Sequence, residues 1–130
     1  MSTYPSPCKG AHTTPIVGNL FTAPDAGAGG EHIEVLASGA ACRVERIVSC
    51  GHTSPAGFWY DQDQDEWVSL LSGAARLLFE DGRSLTLAPG DHLLIPAHCR
   101  HRVEWTHPEQ STVWVAVHLA ADSNTAAPGP

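Results

Sequence analysis

The sequence is poor in basic residues and lacks a long hydrophobic run, and both features exclude classes of binding partner. It contains one lysine, Lys9, and only seven Lys plus Arg against fourteen Asp plus Glu, which gives a net charge of −7 at pH 7. Binding to a phosphate backbone needs clustered basic residues, so we expect no nucleic acid partner. No apolar run approaches the ~20 residues of a transmembrane helix, so we expect no membrane partner either.

Residues 1–7 lack the basic stretch followed by an apolar stretch that is typical of a secretory signal. We therefore predict a cytoplasmic protein whose four cysteines, Cys8, Cys42, Cys50 and Cys99, are reduced thiols. A structural zinc site is disfavoured because no CxxC spacing occurs among these cysteines.

The length of 130 residues predicts a single domain, and the composition of 42% hydrophobic and 16% charged residues is typical of a globular protein. Residues 1–18 contain proline and glycine among small polar residues, which predicts a flexible N-terminal arm. The tail 121–130 is predicted to be disordered. The folded domain is therefore expected to span 19–120.

Short apolar runs separated by turn signals fill this domain, and no segment has a convincing helical period. Such regular spacing predicts an all-β sandwich or barrel. Asp81-Gly82 lies between two apolar runs and predicts a hairpin with a type I′ turn. The predicted strands include a short one at 19–22 and longer ones at 31–36, 42–48, 74–80, 83–87 and 112–118.

Alternation along a strand brings one acid and one imidazole onto apolar walls. Glu66 shares its face with Val68 and Leu70, because successive side chains of a strand point to opposite sides. By the same rule His101 shares its face with Val103 and Trp105, and the charged side chains between them take the other face. This arrangement is typical of a metal site on an apolar wall.

The stretch 58–105 resembles the cupin family in two motifs. The second half of G(x)5HxH(x)3-4E(x)6G matches Glu66 and Gly73, and G(x)5PxGxxH(x)3N matches Gly90, Pro96 and His101. The HxH pair is replaced by Tyr60 and Gln62, or by Trp59 and Asp61 with the longer spacing. The inner glycine of the second motif is His98, and its final asparagine is Trp105.

The resemblance implies a single-domain cupin, a double-stranded β-helix or jelly-roll barrel, with Glu66 and His101 as ligands of a divalent transition metal such as Zn, Fe, Mn or Ni. Gln62 or Asp61 would supply the third ligand that an open catalytic site needs. His52 and His118 are alternative replacements for the missing pair, and the register of the last strand decides whether His118 faces inward. Without a metal, Glu66 and His101 would hydrogen-bond each other, because buried polar groups need partners.

Three functions remain open at this stage. The first is a metal-dependent enzyme, of dioxygenase or isomerase type, in which Tyr60 or His98 transfers a proton. The second is a metal-free barrel that binds or senses a small-molecule ligand. The third is an assembly module, and in each case we predict a homodimer, because cupins commonly dimerise through a sheet edge or an exchanged arm and edge strands need covering.

Overall fold

Eight antiparallel strands form the fold, as the all-β prediction requires. The computed structural model describes residues 14–121, so the predictions for 1–13 and for the tail 122–130 lie outside it. Within this range there is no helix that could cross a membrane. The strands are β1 (Gly30–Ser38), β2 (Cys42–Cys50), β3 (Gln64–Ser72), β4 (Ala75–Phe79), β5 (Ser84–Leu87), β6 (His92–Ile95), β7 (His101–Thr106) and β8 (Thr112–Ala120).

The strands form a five-stranded sheet of order β1-β2-β8-β3-β6 and a three-stranded sheet of order β5-β4-β7. Alternate residues of both sheets turn inward and share one hydrophobic core. Leu70 of β3, Leu77 of β4 and Trp114 of β8 are among its buried members. This arrangement is the predicted jelly-roll barrel, with an interior that side chains from both sheets line.

Residues 19–22 form a turn, and the prediction of a short strand there is wrong. The side-chain oxygen of Asn19 accepts a hydrogen bond from the Phe21 N–H at 2.8 Å, and the backbone carbonyl of Asn19 accepts one from the Thr22 N–H at 3.1 Å. Local side-chain bonding of this kind competes with a strand ladder. Arg46 of β2 then holds the turn, because its Nη1 donates to the carbonyls of Asn19 and Thr22.

The predicted hairpin at Asp81-Gly82 is present, but its turn is not of type I′. Outside glycine, only His98 has a positive φ among the described residues, whereas a type I′ turn needs one at Asp81 as well. The Gly82 N–H donates to the Phe79 carbonyl, and the Phe79 N–H donates to the Arg83 carbonyl. The result is a three-residue loop with Gly82 in the left-handed region, at φ 95°.

A β-bulge overturns the prediction that Trp105 shares a face with His101 and Val103. In the β4–β7 pairing Arg76 lies opposite Trp105, but Leu77 lies opposite Val103, so β7 contains one extra residue. The extra residue reverses the alternation. Trp105 therefore faces outward beneath the Arg76 guanidinium, which is 5.7 Å from the ring centroid.

Candidate functional site

A cavity of about 210 Å³ lies between the two sheets. Its apolar walls come from seven of the eight strands, all except β5, and its polar groups come from the five-stranded sheet, from the segment before β3 and from β7. The apolar lining is Ile33, Ile47, Val68, Leu77, Ile95, Val103 and Trp114, and the polar lining is Glu31, Arg43, Glu45, Tyr60, Gln62, Glu66, His101 and His118.

Glu66, His101 and Gln62 meet in this cavity and are called the Glu66 cluster below. Glu66 Oε1 lies 3.6 Å from His101 Nε2 and accepts a hydrogen bond from Gln62 Nε2 at 3.0 Å. Burial by itself would raise the pKa of Glu66. The nearby His101, the hydrogen bond from Gln62 and the nearby His118 together outweigh burial and hold that pKa below its ordinary value, so Glu66 is ionised at neutral pH.

The ring of His101 is fixed from two sides. Its Nδ1 lies 2.9 Å from the carbonyl oxygen of Cys99, which can only accept, so Nδ1 carries a proton and Nε2 points toward Glu66. Tyr60 pairs with His101 through two backbone hydrogen bonds and stacks on its ring at a centroid distance of 5.4 Å. Burial raises the pKa of Tyr60, and the carboxylates of Glu31, Glu66 and Glu45 raise it further.

The structure does not bring Asp61 or His98, two of the predicted site residues, into the cavity. Tyr60 and Gln62 point inward, and Asp61 between them is exposed, as expected of an extended segment. The Asp61 carboxylate instead lies 2.8 Å from His98 Nδ1 at the surface. His98 occupies the position of the second motif's glycine in the left-handed conformation, at φ 63°.

A second polar group contains His118, a candidate from the sequence, and Glu45, which the sequence did not single out. Glu45 of β2 has its two oxygens at 3.0 Å from His118 Nε2 and at 2.8 Å from Arg43 Nε. The register places His118 opposite both Arg43 and Glu66, so this histidine faces inward and is buried. The alternation of Arg43, Glu45 and Ile47 is the signal that could have found Glu45, but Arg46 puts a charged residue on the other face of the same strand.

Glu31 of β1 is the third carboxylate of the cavity. Its Oε1 lies 3.5 Å from Nε2 of His52, which therefore pairs with Glu31 and not with the Glu66 cluster. Burial raises the pKa of Glu31, and the Glu45 carboxylate raises it further against the opposing effect of His52.

The comparisons with known proteins agree with this architecture. The cupin domain family model matches residues 51–118. The chain belongs to the cupin family. No curated protein matches this cupin.

Solved structures share this fold at different levels of sequence identity. A protein of Ralstonia eutropha JMP134, provisionally named a mannose-6-phosphate isomerase, is 47% identical over 82% of this chain and 100% of its own, with a TM-score of 0.78. A cupin superfamily protein of Desulfitobacterium hafniense DCB-2 is 19% identical over 76% and 84%, with a TM-score of 0.63. A Streptococcus pyogenes protein of unknown function is 17% identical over 95% and 98%, with a TM-score of 0.65.

The donor set of this cupin fits the divalent metal implied by the family only in part. Glu66 and His101 are suitable ligands, but among residues 14–121 there is no group of three His, Cys, Asp or Glu side chains that could hold an ion. Gln62 turns its amide nitrogen, not its oxygen, toward Glu66. An open metal site usually has three protein ligands, so the side chains as placed do not form one.

Proposed function

We propose that this cupin binds a small molecule in the barrel cavity, with the Glu66 cluster contacting the polar group of the ligand. The observation that carries the proposal is a cavity of about 210 Å³ whose lining combines seven apolar and eight polar side chains. Binding sites for small molecules combine apolar walls, which supply affinity, with polar groups, which set orientation.

The hydrogen bonds of the cluster favour a mode of binding without a metal. Gln62 donates to Glu66, and His101 is held by Cys99 on one side and faces Glu66 on the other. The protein itself therefore supplies hydrogen-bond partners for Glu66 Oε1 and for His101 Nδ1, as burial requires. Tyr60, whose raised pKa keeps its phenol protonated at neutral pH, is the proton donor beside them, and we propose no specific reaction.

A metal-bound cupin is the second candidate, and the orientation of His101 favours it. Metal-binding histidines usually donate their other ring N–H to a carbonyl or carboxylate, as His101 does to Cys99. Glu66 and His101 would hold the ion, and rotation of the Gln62 amide would offer its oxygen as a third ligand. The ion would act as a Lewis acid on a bound oxygen atom.

Metal analysis and a thermal-shift experiment with EDTA separate the two candidates. For the metal-free mode we expect less than about a tenth of an equivalent of any transition metal after attempted reloading, and no change in melting temperature with EDTA. A lower melting temperature in EDTA would establish the second candidate instead.

Binding itself is tested by saturation-transfer NMR with cyclohexanol, a neutral probe small enough for the cavity. Ile33 lies at the cavity and is half exposed, so Ile33→Trp should fill the space without disturbing the core and abolish the signal. Leu85→Trp, at an exposed position of the other sheet outside this cavity, is the control and should leave the signal unchanged. No signal from the unmodified cupin, or an equal signal from Ile33→Trp, would reject binding in the cavity.

We further propose a homodimer formed through β1, one of the two edge strands of the five-stranded sheet. Val35 and Leu36 of this strand are exposed, and edge strands with apolar side chains need covering. Light scattering at micromolar concentration should give twice the monomer mass, and Val35→Glu should give the monomer. A monomeric unmodified protein would refute the proposal.

We also propose that the cupin works in the cytoplasm. The thiols of Cys42, Cys50 and Cys99 are free, which is the state that a reducing compartment maintains. Fractionation of the source cells tests this location, and recovery outside the cytoplasm would contradict it.

A further inference from the structure

The charged groups of the cavity are not evenly distributed between its interior and the solvent. Three carboxylates line it, and the side chains of Glu31, Glu45 and Glu66 are 18%, 13% and 12% exposed. The one guanidinium that lines it, that of Arg43, is 38% exposed. Charges enclosed in a medium of low dielectric act more strongly than charges that water screens, so the carboxylates dominate the potential inside.

Two of these carboxylates have close partners, and the third does not. Glu45 binds Arg43 at 2.8 Å, and Glu66 is bonded within its cluster. Among residues 14–121, Glu31 has only His52, at 3.5 Å, which is longer than the 2.7–3.2 Å of an ordinary N–H···O bond. Glu31 is therefore the cavity carboxylate with unused hydrogen-bonding capacity.

His118 pairs with Glu45 and not with Glu31. Its Nε2 lies 3.0 Å from Glu45 Oε1, and its Nδ1 is buried without a hydrogen-bond partner among the described residues. His118 therefore fixes the position of the Glu45 carboxylate and leaves Glu31 without this partner.

We propose that Glu31 binds the protonated amino group of a small amine whose carbon skeleton lies against Ile33 and Ile47, with Glu45 adding negative charge beyond them. Glu31 and Ile33 are alternate residues of β1, Glu45 and Ile47 are alternate residues of β2, and Ile33 pairs directly with Ile47, so the two carboxylates flank this apolar pair. An ammonium group can donate directly to Glu31, and hydrogen bonds between charged groups are the strong ones. This assignment of a ligand class rests on the proposed function, that the cavity binds a small molecule.

The raised pKa values of Glu31 and Tyr60 agree with a negative electrostatic potential inside the cavity. Burial and the Glu45 carboxylate raise the pKa of Glu31, and burial together with three carboxylates raises that of Tyr60. A phosphorylated ligand would meet the same carboxylates and find only Arg43, which already binds Glu45. The phosphosugar in the name of the Ralstonia relative is therefore not the class of ligand that this cavity favours.

The experiment compares three probes of one shape that differ in charge: cyclohexylammonium, cyclohexanol and cyclohexanecarboxylate. Their dissociation constants are measured by NMR titration at neutral pH in the presence of EDTA, so that no metal contributes. We expect the ammonium to bind at least about tenfold more tightly than the alcohol, and the carboxylate to bind more weakly than either.

Variants then assign the charge preference to the proposed residues. Glu31→Gln keeps the shape of the side chain and should weaken ammonium binding about tenfold while leaving alcohol binding within about twofold. Glu45→Gln should act in the same direction, and its amide oxygen still accepts from His118. Glu109→Gln, an exposed change of equal charge outside the cavity, is the control and should alter neither affinity.

The outcomes separate this inference from the proposed function. If the alcohol binds but the ammonium has no advantage, or if Glu31→Gln and Glu45→Gln keep the advantage, the amine assignment is wrong and the cavity still binds small molecules. If none of the three probes binds, both proposals fail. Loss of ammonium binding alone in both variants, with the control unchanged, supports the assignment.

Discussion

The cavity contains two polar regions built from the same residue types, and they behave in opposite ways. In the Glu66 cluster, the carboxylate receives a close hydrogen bond from Gln62 and its pKa is lowered. At the Glu31–Glu45 face, Glu31 has one distant partner and its pKa is raised. Their side chains are similarly buried, at 12% and 18% exposure, so burial does not explain the difference. The number of close hydrogen-bond donors decides which carboxylate remains available to a ligand.

The largest expected effect comes from a substitution in the core that supports both regions. Leu70 is fully buried, so Leu70→Ala should lower the free energy of unfolding by about 2–5 kcal/mol through a lost contact surface and a new cavity. Both regions should lose their function together, because both depend on the same barrel. Leu85→Ala, at an exposed position, should cost no more than about 0.5 kcal/mol in the same chemical denaturation experiment. Equal losses for the two variants would contradict this role of the core.

A smaller effect should distinguish the two regions directly. Glu66→Leu removes the acceptor of Gln62 and the partner of His101, and leaving such buried groups unpaired should cost about 1–3 kcal/mol. Glu31→Leu removes a carboxylate that has no close partner, so the free energy of unfolding should stay within about 0.5 kcal/mol or increase. Chemical denaturation measures both changes, and equal destabilisation would show that the regions do not differ as described.

The smallest effect, and the sharpest in sign, is the pH dependence of stability. The pKa of Glu66 in the folded state lies below its ordinary value of 4.5, so its contribution is present above pH 4.5 and is lost as the pH falls through the folded pKa. The pKa of Glu31 lies above 4.5, so its contribution is fully present below that value and is lost as the pH rises through the folded pKa.

Denaturation between about pH 3 and about pH 8 tests these signs in Glu66→Gln and Glu31→Gln. The free energy of unfolding of the unmodified protein minus that of Glu66→Gln should rise with pH. The corresponding difference for Glu31→Gln should fall. The same slope for both differences would overturn the comparison.

The fold and the Glu66 cluster were accessible from the sequence because local rules suffice there. Motif spacing and alternation predicted that Glu66 and His101 lie on strands and face the interior. The motif position of Gln62 predicted that this residue lies beside them. The register shift at Trp105 was not accessible, because a bulge adds one residue in response to the packing of β4 against β7. The surface pair of Asp61 and His98 likewise depends on a left-handed backbone at His98, and this conformation is not predicted by a histidine in the sequence.

The Glu31–Glu45 face was missed for a related reason. Arg46, a charged residue, is buried on the outer side of β2 by the carbonyls of the turn 19–22, so both faces of β2 carry charge. Alternation of apolar and charged residues predicts that charged side chains face solvent, so it does not predict which face of such a strand points inward. Only the contact with a distant segment of the chain reveals that Glu45 faces the interior.

The edge position of β1 has a consequence for how binding would respond to protein concentration. Within its sheet, the strand that carries Glu31 is hydrogen-bonded to β2 on one side, and its other edge is the one assigned to self-association. Two equilibria that order the same strand are thermodynamically linked, so an amine would promote pairing of subunits to the degree that pairing tightens the hold on the amine. Occupancy of the barrel would then report on the abundance of the protein as well as on that of its ligand.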